Sequence, residues 1–301
     1  MAKHQLSEHF NALFYKINPK DTYEKKASNA YQTIKYIISN FHGPLKALNP
    51  DCFIQGSYKQ QTAIHSINDL DIIVLCKKNL AGNQRKNRDE LFQMVADPFL
   101  SDYRYKDKVC YNANSMCIKI DHAIRIEILP TIKRKFEEEP FYLFRPEKNR
   151  WERGYARRHQ ELLSYKNKGN LNFIPAIKLF KHIRSIFKIE SVSFHIECLL
   201  YSLPTKCFLG SPVEYMTKLL NYIAIRNVDK WYEKSIKTPC EERCLFNNLE
   251  WNLTNWRFFH EIISSLAPLA NEAIRVQNQV RAIALWQKIF GSNFFPSKVE
   301  S

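Results

Sequence analysis

The chain has 301 residues, of which 45% are hydrophobic and 25% are charged, a composition that excludes a disordered protein. Its net charge of +15 favours anionic partners such as nucleotides, RNA or an acidic membrane surface. No apolar run approaches the roughly 18 residues that a membrane-spanning helix needs, and the charged N-terminus is not typical of a signal peptide. The eight cysteines lack the dense spacing of a disulfide framework, so we expect a reducing, cytoplasmic compartment and no membrane partner.

The predicted elements run from helices to strands and back to helices. In chain order they are helices at 5–15 and 22–42, a strand-rich region over 52–130 with a polar loop at 77–88 and a helix at 89–97, and helices at 174–186, 194–203, 212–228 and 256–290. This order predicts an α+β fold in which a mixed sheet precedes a helical half. We expect one domain over 1–150 and a second over 151–301.

A stretch between residues 53 and 75 predicts a metal–triphosphate site. Gly56 and Ser57 form a turn after the first apolar strand, where a backbone without a Cβ can approach a phosphate and a hydroxyl can bond to it. The next strand opens with Asp69 and Asp71, which share one face because they are two residues apart. Two neighbouring carboxylates repel unless a cation lies between them. Mg²⁺ is typically held by one or two carboxylates plus substrate phosphates.

The segment 116–130 predicts a β-hairpin with a tight turn at residues 121–123. Glu127 and Arg125 share one face of its second strand, and isoleucines take the other face. On pattern alone, this is also the ordinary exposed face of an antiparallel strand.

A Gly-Ser turn followed about a dozen residues later by Asp-x-Asp resembles the DNA-polymerase-beta-like nucleotidyltransferases. That superfamily implies a third acid on a neighbouring strand, and Glu127, followed by Leu129-Pro130, matches its position. The family usually has aspartate there. If Glu127 is not the third acid, Asp121 is the next candidate. The resemblance implies that Asp69, Asp71 and Glu127 are catalytic and hold two Mg²⁺ ions, for which Mn²⁺ can substitute.

Two helical segments narrow the resemblance to the cyclic-oligonucleotide synthases of the CD-NTase family. Residues 176–184 alternate apolar and basic side chains, a pattern that a solvated basic face also produces. Residues 191–200 begin a helix with a serine cap candidate. The resemblance implies Lys181 on the triphosphate, Ser193 near the phosphates or base, Phe194 stacked on a base, and a helical lobe that closes the active-site cleft. With the turn, the nucleotide-binding residues are Gln55, Gly56, Ser57, Lys181, Ser193 and Phe194.

The sequence departs from the family pattern in two places. Gln61 stands where the common loop has glycine, and the segment from Trp151 lacks the Asn/Asp-Pro pair that often follows this tryptophan in relatives. The arginines of the second region fit a phosphate grip or a solvated helix face; they are Arg150, Arg153, Arg157 and Arg158.

Base choice is expected to depend on polar side chains, since stacking on Phe194 does not distinguish bases. The segment 147–172, predicted to be irregular, offers Asn149, Asn170 and Asn172, whose amides suit the edge of uracil. The compact length resembles the clade that uses pyrimidines. We therefore expect UTP and ATP as substrates, with GTP as an alternative, and a uridine-containing cyclic dinucleotide as product.

The resemblance further implies that the product is a second messenger for a separate effector protein in antiphage defence. We expect a monomer that does not require RNA or DNA. Two alternatives stay open. One is an enzyme that makes linear oligonucleotides or extends RNA, and the other is a nucleotide-binding homologue that has lost catalysis.

Overall fold

The structure, a computed structural model, describes residues 6–66, 69–78, 84–133, 140–234, 236–247 and 250–299. The strands are β1 (Pro50–Gln55), β2 (Asp69–Cys76), β3 (Val109–Cys110), β4 (Ile118–Asp121), β5 (Arg125–Ile132), β6 (Phe141–Arg145) and β7 (Arg150–Gly154). The helices are α1 (Ser7–Ile17), α2 (Asp21–Asn40), α3 (Pro44–Ala47), α4 (Gly56–Lys59), α5 (Gln84–Leu100), α6 (Ala156–Gly169), α7 (Phe173–Ile186), α8 (Ser193–Ser202), α9 (Pro212–Ala224), α10 (Val228–Glu233), α11 (Leu253–Arg275) and α12 (Gln279–Phe290). Within these described ranges, no helix combines the length and apolar character needed to cross a bilayer.

The chain forms two compact units, each built from separate segments of the sequence. We call them the helical unit and the sheet unit. The helical unit comprises Met1–Asn18, Thr62–Ser66 and Glu161–Ser301, and the sheet unit comprises Pro19–Gln61 and Ile67–Gln160.

This division differs from the domain boundary expected at residue 150. The helix α1 belongs with the helices of the second half, because Phe10 and Leu13 are fully buried in the same apolar cluster as Trp286 and Phe290. The Phe10 ring meets Trp286 edge-on, with ring centroids 5.2 Å apart. Packing of its apolar stripe therefore decides where α1 belongs.

The strand β2 lies inside the sheet, antiparallel to β1 and parallel to β5. Its side chains alternate, so Leu70, Ile72 and Val74 are completely buried in the core of the sheet unit while Asp69 and Asp71 stay half-buried. That core also takes side chains from α2 and α5. The sheet order is β1-β2-β5-β4-β3, and β6 pairs with β5 and β7.

Two predictions about the segment after residue 146 are wrong, because this segment forms the strand β7 and the helix α6. Residues 147–172 are not irregular, because they contain β7 and α6, and the helical pattern starts at Ala156 rather than 151. Arg150 and Arg153 therefore lie on a strand and not on a helix face. Gly154 explains the close pairing with β6, since a Cβ there would come within 2.3 Å of the Phe141 ring.

Candidate active site

The backbone of the turn after β1 lies so close to Asp71 that only glycine fits at this position. Gly56 has a φ of +72°, and a Cβ on it would lie 1.9 Å from Asp71 Oδ2. Gln55 is the antiparallel partner of Asp71 in the register of β1 and β2. Residues Gly56–Lys59 form the short helix α4, and Ser57 is half-buried in it. The backbone of Gly56 is thus held against the Asp71 carboxylate.

Three acidic side chains come from adjacent positions of two parallel strands. Asp71 pairs with Glu127 in the register of β2 and β5, and Asp69 pairs with Arg125. Paired residues of neighbouring strands point to the same face, so Asp69, Asp71 and Glu127 share one face of the sheet. Asp121 lies at the end of β4, one strand further from β2, and contacts Arg125 at 3.6 Å.

Burial and a neighbouring carboxylate raise the pKa of Asp69. Burial is the largest cause, and the negative charge of Glu127 is the next; Arg125 and Lys119 act in the opposite direction. The pKa of the Tyr23 hydroxyl is also raised, by burial and then by Asp69 and Asp71. Burial and then Glu127 raise the pKa of the Cys117 thiol to about 12. Negative charge is therefore concentrated at this end of β2 and β5.

Basic side chains partly balance this charge. Arg125 lies 3.7 Å from the Asp69 carboxylate, and Lys119 lies 3.4 Å from the Glu127 carboxylate. Across the described part of the chain, no three His, Cys, Asp or Glu side chains converge in an arrangement that could hold a metal ion. The donor set nonetheless fits a hard divalent cation, because three carboxylates on one face offer only oxygen ligands. A cation would also relieve the repulsion that raises the Asp69 pKa.

The residues that the family resemblance assigns to the triphosphate and the base lie on α7 and α8 of the helical unit. Lys181, on α7, is fully buried and ion-paired with Glu197 on α8, with Nζ and Oε1 2.6 Å apart. The Ser193 hydroxyl accepts a hydrogen bond from Arg184 at 3.3 Å. The Phe194 ring is half-buried and carries the guanidinium of Arg243 at 5.4 Å from its centroid. The first helical residue of α8 is Ser193, and its N-cap is Val192, so the predicted serine cap is wrong.

The three asparagines expected to read a base have other positions and partners. Asn149 adopts a left-handed conformation, with φ of 49°, in the turn before β7 of the sheet unit. The Asn170 amide donates to the carbonyl of Thr205, and that of Asn172 donates to the carbonyls of Phe208 and Gly210. The donors of Asn170 and Asn172 thus tie the start of α7 to residues 205–210, and they do not favour a role in base recognition.

Sequence reasoning missed two polar pairs of the helical unit. Glu197 contacts Lys181, and Arg243 contacts Glu250 with its Nη1 2.7 Å from Oε1. Glu197 sits in an otherwise apolar part of α8, where a charged side chain needs a partner. The position of Glu197 within an apolar run was therefore the feature of the sequence that could have predicted its pairing with a buried cation.

The Asp-x-Asp strand lies beside a glycine turn and a parallel strand with a third acid, which is the arrangement expected of a nucleotidyltransferase. The profile of the Second Messenger Oligonucleotide or Dinucleotide Synthetase domain matches residues 5–167, and that of the cGAS/DncV-like nucleotidyltransferase C-terminal helical domain matches residues 160–267. The chain therefore belongs to the CD-NTase family of polymerase-beta-like nucleotidyltransferases. This confirms the predicted resemblance, the α+β fold class and the enzyme class.

Individual relatives agree with this assignment. The cyclic UMP-AMP synthase of Rhodothermus marinus is 23% identical over 68% of this chain and 80% of its own length. The solved structure of that organism's CdnE c-UMP-AMP synthase with Apcpp and Upnpp has a TM-score of 0.68, is 20% identical, and covers 88% of this chain and 96% of its own. The CdnC:HORMA-deltaN complex of E. coli MS115-1 has a TM-score of 0.75, is 15% identical, and covers 98% of both chains. These structures share the fold of this chain.

Proposed function

We propose that this enzyme joins nucleoside triphosphates into a cyclic oligonucleotide. The observation that carries the proposal is the position of Asp71, which lies between the glycine turn at Gly56 and the third acid, Glu127. This arrangement sets a backbone that can approach phosphates beside oxygen ligands for a cation. The name of the Rhodothermus relative supports a cyclic product.

The reaction is two successive phosphoryl transfers. A ribose hydroxyl of one nucleotide attacks the α-phosphorus of a second, the bond to the pyrophosphate breaks, and the hydroxyl proton is lost. The linear intermediate then repeats this step on its own triphosphate end and closes the ring. Catalysis depends on positioning and on charge neutralisation, because phosphoryl transfer needs little covalent chemistry from the protein.

Each site residue has a part in this scheme. Gln55 and Gly56 would bind the phosphates through the backbone, and Ser57 through its hydroxyl. Asp69, Asp71 and Glu127 would hold two Mg²⁺ or Mn²⁺ ions, which when bound neutralise triphosphate charge and favour ionisation of the attacking hydroxyl. In the helical unit, Lys181 would lie on the triphosphate, Phe194 would stack on a base, and Ser193 would lie near the phosphates or base. Closure of the cleft by the helical part stays a prediction.

A uridine-containing cyclic dinucleotide made from UTP and ATP is the product we propose. The choice of uridine rests on the name of the Rhodothermus relative. The asparagines do not support it, because the amides of Asn170 and Asn172 donate to backbone carbonyls. GTP is the alternative substrate. We further propose that the product activates a separate effector protein during phage infection.

Product analysis tests the proposal. The purified chain is incubated with the four radiolabelled nucleoside triphosphates and Mg²⁺ or Mn²⁺, and the products are treated with phosphatase and separated. We expect a phosphatase-resistant product labelled from UTP and ATP. A phosphatase-sensitive ladder would instead indicate a linear polymer or RNA-tailing enzyme, and absence of any product would favour a homologue without catalysis. Label from ATP and GTP alone would exclude uridine.

The matched control is the Asp69→Asn, Asp71→Asn double variant. Each substitution removes a charge but keeps the side-chain shape, so we expect turnover to disappear while the protein stays folded. Mg²⁺ should raise the Tm of the wild type and leave that of the variant unchanged, because bound ligand stabilises only the form that binds it. Undiminished product from a folded double variant would refute the assignment of the metal site.

A further inference from the structure

Tyr23, near the start of α2 in the sheet unit, carries a buried hydroxyl that no described residue satisfies. The residue is 8% exposed, and its Oη has no hydrogen-bond partner within the part of the chain that the structure describes. A buried hydroxyl without a partner costs free energy, so such groups are rare in folded proteins. An ordered water, a bound ion or a role in catalysis accounts for groups of this kind.

The packing of Tyr23 places its ring beside the turn that approaches Asp71. The ring meets that of Tyr58 edge-on, with ring centroids 6.3 Å apart. Tyr58 lies on the four-residue helix α4, which begins at Gly56, and a Cβ on Gly56 would lie 1.9 Å from Asp71 Oδ2. Tyr23 also belongs to the apolar cluster that contains Leu70 of β2. It is therefore held against the glycine turn and the start of β2, and all of these residues belong to the sheet unit.

The charges of Asp69 and Asp71 reach the Tyr23 hydroxyl. After burial, these two carboxylates are the largest causes that raise the pKa of Tyr23. The hydroxyl therefore stays protonated at neutral pH and remains a hydrogen-bond donor. It is not bonded directly to either carboxylate. One water can bridge polar groups that are too far apart for a direct hydrogen bond, and a buried water needs several polar partners, which this end of β2 supplies.

We propose that Tyr23 is a positioning residue for the carboxylates that hold the cation. Its hydroxyl donates to one ordered water, and this water donates one hydrogen to Asp69 and one to Asp71. The bridge fixes the orientation in which the two carboxylates offer their oxygens to a hard divalent cation. Hydrogen bonds to ligating groups typically contribute about 10–100-fold to metal affinity or activity. The consequence for catalysis rests on the proposed function, whereas the effect on cation binding does not.

A conservative substitution, Tyr23→Phe, tests this role because it removes the hydroxyl and keeps the ring. Without a divalent cation, we expect its Tm to lie within about 2 °C of that of the wild type, since no protein acceptor loses its donor. The Kd for Mn²⁺ without nucleotide, measured from the electron paramagnetic resonance signal of the free ion, should rise about tenfold or more. At subsaturating Mg²⁺, kcat should fall by a similar factor. Higher Mg²⁺ should restore it, with KM for the nucleotides unchanged.

Two matched variants separate this role from the general effects of losing a tyrosine hydroxyl. Tyr31, on the same helix, donates to the Cys52 carbonyl at 3.0 Å, so Tyr31→Phe should lower Tm by about 2–4 °C and leave the Kd for Mn²⁺ unchanged. Tyr215 of the helical unit also has a buried hydroxyl that lacks a partner among the described residues, and burial alone raises its pKa. We expect Tyr215→Phe to change neither Tm nor the Kd for Mn²⁺ appreciably.

Several results would overturn the proposal. One is an unchanged Kd for Mn²⁺ in Tyr23→Phe, and another is an equal rise in Tyr23→Phe and both controls. A third is a difference from the wild type that arises only with a non-hydrolysable nucleoside triphosphate, because the hydroxyl then contacts the nucleotide and not the carboxylates.

Failure of the proposed function has a different signature. If the wild type binds Mn²⁺ but makes no nucleotide product, the proposed function fails, while the Kd values still decide the role of Tyr23. If the wild type binds no Mn²⁺ without nucleotide, the proposed role of Tyr23 in cation binding is wrong, whatever product the enzyme makes.

Discussion

Gln61 is a residue whose backbone conformation suits glycine better than the side chain present. Its φ is 60°, in the left-handed region, at the position where the family resemblance leads us to expect glycine. A residue with a Cβ destabilises the folded state by about 1–2 kcal/mol in this conformation. The substitution therefore carries a local cost just before the chain enters the Thr62–Ser66 segment.

We expect Gln61→Gly to stabilise the protein by up to about 1 kcal/mol, since the relief of strain exceeds the roughly 0.5–1 kcal/mol that glycine loses in chain entropy. Gln61→Val should destabilise it by about 1 kcal/mol or more, because a β-branched residue is a strong outlier at positive φ. Thermal or urea unfolding of the three proteins measures both differences. A glycine variant less stable than the wild type would contradict this explanation.

Glu127 is a further residue at which the sequence departs from the usual family pattern. We expect Glu127→Gln to lower activity by about a hundredfold or more. Substitution of residues that only support metal ligands already lowers metal affinity or activity by about 10–100-fold, and a direct ligand should matter at least as much. Glu127→Asp should keep part of the activity, since it retains the charge. Activity measured across a Mg²⁺ titration checks both variants.

Asp121 serves as the comparison for Glu127. It is exposed and lies on β4, so Asp121→Asn should leave activity near that of the wild type. If Glu127→Gln were fully active and Asp121→Asn inactive, the third acid would have been assigned to the wrong strand.

At the scale of elements, predictions succeeded where one face of a strand or helix is apolar. The alternation of β2 and the hairpin of β4 and β5 could be predicted because Leu70, Ile72 and Ile126 fill a core while their neighbours are polar. The strand β7 could not be predicted, because its polar positions are the charged residues Arg150, Glu152 and Arg153 and its only buried residues are Trp151 and Gly154. The pairing of Lys181 with Thr62 joins residues 119 positions apart and has no local signal.

The helix α7 also carries a buried histidine that should make the protein sensitive to acid. His182 Nε2 lies 3.0 Å from the Phe290 carbonyl, and its buried Nδ1 has no hydrogen-bond partner among the described residues. Burial lowers the pKa of His182 to about 4; the Phe290 carbonyl opposes this shift and His65 adds to it. The folded protein therefore binds a proton at this site less readily than the unfolded chain does.

Stability should consequently fall as the pH drops from about 6.5 to 4, because in this range the unfolded state takes up the proton and the folded state does not. The loss from His182 should be about 1–3 kcal/mol. His182→Gln keeps a donor for the Phe290 carbonyl without titrating, so its Tm should decline less over this range. His260→Gln is the matched control, since His260 Nε2 also lies beside a carbonyl, that of Arg226. Parallel declines of the wild type and His182→Gln would contradict the prediction.

At the scale of the whole molecule, the division into units predicts how fragments behave. A fragment of residues 151–301 lacks α1, whose Phe10, Leu13 and Ile17 are fully buried in the helical unit. Each such side chain contributes about 1.5–3 kcal/mol on burial, which is a large share of a typical stability of 5–15 kcal/mol. We expect this fragment to lack a sharp thermal transition and to gain one when a peptide of residues 6–18 is added. A cooperative transition without the peptide would show that α1 is dispensable.

The packing of α1 also has a consequence for synthesis on the ribosome. The Phe10 ring contacts Trp286, Phe290 and Phe295, all of which are translated near the end of this sequence. At roughly 5–20 residues per second, α1 waits about a quarter of a minute to a minute for these partners. During that time the segments of the sheet unit are already complete. The apolar stripe of α1 is thus without these partners on the nascent chain while the sheet folds, and it offers a chaperone an apolar surface to bind.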